Sequence, residues 1–455
     1  MTMGYYRQKS AGERNESSLS DCRTQPVCIR RMLPYLLLAA VTVAVYIQTV
    51  WNDFLFHWDD QWVVINAFTD RGMSWSNIWD VVTQFYHGQY APANELYYII
   101  IYSLFGYNSY AFHAGSMLLH TANVLLTYRF VFLLSLKTQN GETAVAGRIA
   151  FVTALLFAVH PVCVESVAWL SASKILVYSL FYLTALIIYI RYIERKDAAS
   201  YLLVLLLYIL SFAGKEQAVV LVLCCALVDY AMRRREPVLL MVAEKVPMLF
   251  LALFFGLITI LSQGDTSGGS MPQYDIMERC LLAFYSLFEY IVKAIVPYNL
   301  SYIYPFPFQP GDAVPFGIYL YPLYVLALGY LVFVFRRDRM IVFAALFFVI
   351  HVLVALHIVP ISRFAVTADR YSYLSLIGCA FMIAYLSATR FRFTRWVKLA
   401  LAVYVVCLSA MTLTYERHWR NTDMLKQNIR EILKSRKDYD DGKKTLITAP
   451  VNAGH

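Results

Sequence analysis

The sequence is poor in charge. Asp, Glu, Lys and Arg make up only 15% of its 455 residues, against roughly a quarter in a soluble domain. Hydrophobic residues reach 59% and the mean hydropathy is +0.53. A chain this apolar lacks the polar surface to cover itself with, so a bilayer must be its solvent. No tandem repeat is visible. No small-residue cleavage site follows the first apolar run, which excludes an ordinary cleaved signal peptide. The eight cysteines show no paired metal spacing. Cys163 and Cys280 fall in or beside expected loops, where a bridge between them is conceivable, but connectivity cannot be read from spacing. The net charge of +9 does not signal nucleic-acid binding, because the basic residues sit in short clusters between apolar runs.

What is present is a series of those runs. Residues 1–31 read as a polar cytoplasmic tail. The membrane domain then occupies 32–414, and a short tail 415–455 follows. The expected fold is an all-α polytopic membrane protein with about eleven crossings. The crossings are Leu33–Val50, Ala111–Leu136, Arg148–His160, Ile175–Tyr192, Tyr201–Ala213, Ala218–Met232, Val246–Ser262, Phe316–Phe335, Met340–Val359, Tyr373–Ala388 and Leu399–Leu413. With this count the tight Arg/Lys clusters, such as Arg233–Arg235 and Arg336–Arg339, fall inside, as the positive-inside bias requires. The basic tail Glu416–Lys444 then lies outside and carries a short amphipathic helix near Met424–Leu433. Two further apolar stretches are read as interfacial. Asn94–Gly106 is shorter than the ~17 residues a crossing needs, and Cys280–Val296 is an interfacial or re-entrant helix.

The first outer loop, residues 51–110, opens with Asn52-Asp53-Phe54-Leu55-Phe56-His57-Trp58-Asp59-Asp60. Asp53, Asp59 and Asp60 thus stand with His57 where a membrane helix meets water. Later outer loops add Glu95, His160, Glu165, Lys174, Lys215, Glu216, Arg363, Asp369 and Arg370. Ionisable groups at span ends are costly unless paired or used. A carboxylate can take a proton from an acceptor hydroxyl. Lys and Arg can hold a phosphate leaving group. The set therefore suits transfer between a polar acceptor and a phosphate-bearing lipid. Plainer roles stand beside this. Asp59-Asp60 is also a helix cap, Glu165 a structural partner of Lys174, Lys215-Glu216 a helix boundary, and Asp369-Arg370 a self-satisfied loop pair. His113, His120 and Asn123 read as hydrogen-bond partners within the helix bundle. The adjacent carboxylates Asp59 and Asp60 would also suit a divalent metal, Mg or Mn, the one cofactor expected as an option.

The chain resembles the GT-C type integral-membrane glycosyltransferases, in particular the membrane half of the transmembrane-and-TPR O-mannosyltransferases and their bacterial relatives. The resemblance rests on Asn52-Asp53-Phe54 with Trp58-Asp59-Asp60, then Phe112-His113 with His120 and Asn123. It continues through His160-Pro161, Glu165–Trp169 and Ser173-Lys174 to Lys215-Glu216. Pro297 with Asn299–Ser301 and Ala368-Asp369-Arg370-Tyr371 complete the set. It implies that Asp59, with Asp60 and Glu165 as the other acids, acts in an inverting sugar transfer. It implies a polyprenyl-phosphate-linked donor held by Lys174, Lys215, Arg370 and Arg363. Asp53, His57, His160, Glu216, Asp369 and Tyr371 support them. The chain departs from the family at Tyr90-Ala91-Pro92, which lacks an Arg, and at Ile175, where an acid is common. No TPR array follows the last run. The expected acceptor is a protein, a lipopolysaccharide or a lipid-linked glycan. The expected location is a bacterial inner membrane, with the endoplasmic reticulum as the alternative.

Overall fold

The structure, a computed structural model, describes residues 26–138, 141–264, 274–358 and 365–434. Among these the regular structure is all helical, with only two isolated β-bridges. Helix α1 (Pro26–Tyr46) runs through a 3-10 turn to Trp51. The first loop then folds into α2 (Asp60–Val63), α3 (Ala67–Asp70), α4 (Trp75–Thr83) and α5 (Pro92–Phe105). Asn66 caps α3 by accepting from two backbone N–H groups, and Ser74 caps α4. Proline at the start and Gly106 in left-handed backbone at the end fix the limits of α5. These devices turn a polar loop into a folded platform.

The bundle continues with α6 (Ser109–Thr138), α7 (Thr143–Val159), the short α8 (Val164–Ala168), α9 (Lys174–Arg195), α10 (Ala198–Gly214) and α11 (Leu221–Ala231). It is completed by α12 (Val238–Ala243), α13 (Val246–Gly264), α14 (Ile276–Ile295), α15 (Tyr321–Val334), α16 (Arg339–Val352), α17 (Ser375–Thr389), α18 (Arg395–Tyr415) and α19 (Thr422–Lys434). Among the described residues six helices are long and apolar enough to cross a membrane, or seven when α7 and the bent segment after it count as one span. Three more apolar helices, Ala198–Gly214, Arg339–Ala355 and Ser375–Thr389, are shorter. The expected crossing at Ala218–Met232 is met by the eleven-residue α11. By length and composition alone six or seven of the eleven expected crossings qualify, and the other expected crossings coincide with shorter apolar helices.

Small residues allow the closest helix packing. A Cβ on Gly214 would meet the Tyr178 backbone N at 2.8 Å, and one on Gly378 would meet the Ala344 carbonyl at 2.7 Å. At the end of the bundle away from the first loop, Arg234 pairs with Glu244 at 2.5 Å. Tyr189 donates to Asp229 at 2.8 Å, and Lys245 completes this buried clasp. α14 does not qualify as a crossing by length and composition, and it contacts several loops. Arg279 Nε donates to the His357 carbonyl, the Tyr290 hydroxyl accepts from the Ala368 N–H and Lys293 sits over the Tyr304 ring.

The C-terminal segment folds back on the first loop. The Asp53 N–H donates to the Arg420 carbonyl at 2.9 Å, and Thr422 Oγ1 donates to the Phe56 carbonyl at 2.7 Å. The tail therefore leaves the bundle on the first-loop side. Its amphipathic helix, α19, buries Leu425, Ile429 and Leu433.

Candidate functional site

Asp59 and Asp60 are neighbours with different surroundings. Asp60 is fully buried. One of its oxygens accepts the Leu55 N–H at 2.9 Å. The other accepts the Ser171 N–H at 3.0 Å and the Ser171 hydroxyl at 2.5 Å. Asp60 thus staples the first loop to the segment between α8 and α9. Burial pushes its carboxyl up to about 6, with the Ser171 and Leu55 bonds pulling the other way. Asp59 occupies the cap position of α2 but makes no capping bond. The residue as a whole is partly exposed. Desolvation raises its pKa above the ordinary value, while Lys174, Arg370 and the donors of Trp62 and Tyr302 draw it back. A carboxylate that makes no capping bond and lies within electrostatic reach of two cations is placed for chemistry.

The cations arrive from three separate loops. Arg370 lies in the 3-10 turn Asp369–Ser372. Glu165, wholly buried, accepts the Arg370 N–H at 2.7 Å with one oxygen and the guanidinium with the other. The guanidinium also lies over the rings of Tyr371 at 4.9 Å, Trp169 at 5.2 Å and Tyr302 at 5.9 Å. Lys174 heads α9 and donates to Gln89 Oε1 at 2.6 Å. It is within electrostatic reach of Lys215, Glu216, Tyr371 and Arg370. Lys215, its side chain 5% exposed, lies 3.4 Å from Glu216 and over the Tyr371 ring at 5.6 Å. Tyr371 is therefore flanked by two of the three cations.

The other expected residues take peripheral places. Asp369 is buried. Its Oδ1 accepts from the Tyr304 hydroxyl at 2.8 Å, and burial pushes its carboxyl up to about 7 against the pull of Lys293. His160 is buried and its Nδ1 accepts the Val162 N–H, which shapes the turn after α7. Asp53 and His57 are exposed. His57 adopts left-handed backbone, and its N–H is held by Gln61 Oε1. Arg363 lies outside the described residues. Glu165 pairs with Arg370, not with Lys174. Cys163 is buried and Cys280 exposed, and both are free. In the bundle, His120 Nδ1 and the Tyr373 hydroxyl are 2.7 Å apart, and Asn123 donates to the Leu176 carbonyl.

Sequence reading overlooked an aromatic wall. Tyr302 packs edge-on against Trp58 at 5.1 Å and against Trp169 at 5.2 Å. Trp419, just before α19, stacks on Trp169 at 5.8 Å. Only the position of Tyr302 directly behind Asn299–Ser301 offered a hint. Among the described residues no three His, Cys, Asp or Glu side chains gather to hold a metal. With three hydrogen bonds already on its oxygens, Asp60 does not fit a paired metal site with Asp59.

Fold and site together define an all-α, multi-pass membrane protein with a buried ionic site on its first-loop side. No family model matches the chain. The chain is distantly similar to protein O-mannosyl-transferases. One from Caenorhabditis elegans is 26% identical over 215 residues, 44% of this chain and 28% of that protein. Human TMTC1 is 27% identical over 194 residues, 40% of this chain and 20% of that protein. Human TMTC4 is 29% identical over 175 residues, 36% and 23%. The matches thus span about a quarter of the length of these relatives.

Proposed function

We propose that the protein is a GT-C type glycosyltransferase that moves a sugar from a polyprenyl-phosphate donor to a protein or glycan acceptor at the outer face of its membrane. The observation that carries this reading is the Asp59 carboxylate, which caps no helix and lies within electrostatic reach of Lys174 and Arg370 beside the donors of Trp62 and Tyr302. The acceptor hydroxyl oxygen attacks the anomeric carbon, and its proton passes to Asp59. The bond from that carbon to the phosphate oxygen breaks, and its electron pair leaves with the polyprenyl phosphate. Lys174, Lys215 and Arg370 hold the phosphate as its charge grows. Attack opposite the leaving group inverts the anomeric centre. Glu165 orients Arg370, and Asp60 fixes the loop that carries Asp59. The relatives named as protein O-mannosyl-transferases favour mannose and a protein acceptor, with lipopolysaccharide and lipid-linked glycans as the further acceptor classes.

A transporter of lipid-linked sugars is the competing class. It would place polar groups near the midplane, whereas these gather at helix ends on the first-loop side. The test is purified protein given polyprenyl-phosphate mannose and a Ser/Thr-rich peptide. Release of polyprenyl phosphate with mannosyl peptide supports transfer. Movement of intact donor across a liposome bilayer, without release, overturns it.

A further inference from the structure

Beside the site, the first loop encloses a small cavity lined by Trp62, Gln84, Gln89, Asn94, Glu95 and Lys174, among others. Its free space is about 20 Å³, room for one water-sized group. It lies between the two halves of the proposed chemistry. Trp62 presents a donor to Asp59, and Lys174 belongs to the cation cluster.

We propose that this cavity is a subsite for one ring hydroxyl of the donor sugar, a specificity element that rests on the transferase reading above. The polar inventory matches a hydroxyl, which donates once and accepts twice. Glu95 Oε2 is held by Asn66 Nδ2 at 3.1 Å, and its other oxygen receives no hydrogen bond from the described residues. Gln89 spends Oε1 on Lys174, which leaves its amide N–H groups to donate. The Lys174 ammonium keeps further N–H groups as well. A sugar hydroxyl can therefore donate to Glu95 and accept from Gln89 and Lys174 at once. A phosphate is disfavoured there by the Glu95 carboxylate, and a methyl group would leave all three unpaired. The frame is rigid, because Asn94 Oδ1 accepts from the Ser173 hydroxyl at 2.9 Å and Asn66 also donates to the Val63 carbonyl. Burial pushes the Glu95 carboxyl up to about 7, as suits an acid screened from bulk water.

The test uses full-length protein and synthetic polyprenyl-phosphate mannose beside analogues that each lack one ring hydroxyl. A site built to bind a hydroxyl rejects the analogue without it strongly. For wild type, one deoxy donor should fall about 100-fold or more in kcat/KM while the others fall far less. In Glu95→Ala and in Gln89→Ala the parent donor should fall toward that deoxy donor, so that the ratio between them shrinks to about 3-fold or less. Gln89, partly exposed, serves as the variant that folds if Glu95→Ala does not. If wild type consumes mannose donor but the ratios are unchanged in the variants, the subsite is refuted and the transferase reading stands. If wild type consumes no donor, both fall together.

Discussion

Glu165 and Arg370 are joined at two points. One Glu165 oxygen takes the Arg370 backbone N–H at 2.7 Å and the other takes its guanidinium, although 205 residues separate them in sequence. The same carboxylate therefore sets both the path of the 3-10 turn and the direction of the cation it carries.

Removing one partner of a buried pair strands the other. Glu165→Gln should lower unfolding stability by about 3 kcal/mol and weaken donor turnover more than 10-fold. Arg370→Lys should keep the charge and the backbone N–H bond to Glu165 but lose the planar guanidinium's contact with Glu165 and its aromatic stacking. It should raise the donor KM with a smaller loss of stability. Thermal unfolding in detergent and steady-state kinetics check both.

Asp59 gives a pH prediction. Its pKa is raised by burial, against the opposing pull of Lys174 and Arg370. A base works when ionised, so activity should fall as pH drops through a limb above the ordinary Asp value of about 4. Replacing Arg370 with Met removes a cation that stabilises the carboxylate. The limb should then move to higher pH in whatever turnover remains. A limb that moves down, or stays, contradicts the proposed contact.

The crossing helices were legible because apolar runs announce themselves. So were α5 and α14 as helices, whose lengths or charges set them apart from the crossings. The short α10, α11 and α17 qualify less clearly, since a helix buried among others needs less length of its own. In the site, Asp59 stood out because it sits beside a span end. The separate duty of Asp60 was hidden, because its partner Ser171 lies 111 residues away. Pairing of Glu165 with the nearer Lys174 was the natural reading, yet the fold brings Arg370 to it instead. Trp419 was invisible for the same reason, and Tyr302 was hinted at only by its place behind Asn299–Ser301, as nothing local marks two aromatics that meet only on folding.

Gly214 offers a test of the packing. A Cβ there would press on the Tyr178 backbone at 2.8 Å, and backbone cannot step aside as a flexible side chain can. Gly214→Ala should destabilise by about 1–3 kcal/mol, with a lower unfolding temperature. Gly256, which has open space around it, should tolerate Ala with an unchanged unfolding temperature.

Trp419→Ala should disturb the site from the C-terminal side, because Trp419 backs Trp169 and Tyr302 and these flank Arg370. Donor KM should rise several-fold, and Trp419→Phe should restore most of it. A variant with unchanged KM would show that the aromatic wall does not hold Arg370 in place.

The most direct measurement compares Asp59→Asn with Asp60→Asn for release of polyprenyl phosphate from polyprenyl-phosphate mannose, with unfolding temperature recorded for each. Asp59→Asn should keep the wild-type unfolding temperature and lose at least about 100-fold in rate, as expected when a general base is removed. Asp60→Asn turns an amide toward donors and should lower the unfolding temperature, with the folded fraction retaining activity. Full activity in Asp59→Asn, or a loss confined to Asp60→Asn, would contradict the assignment of the base.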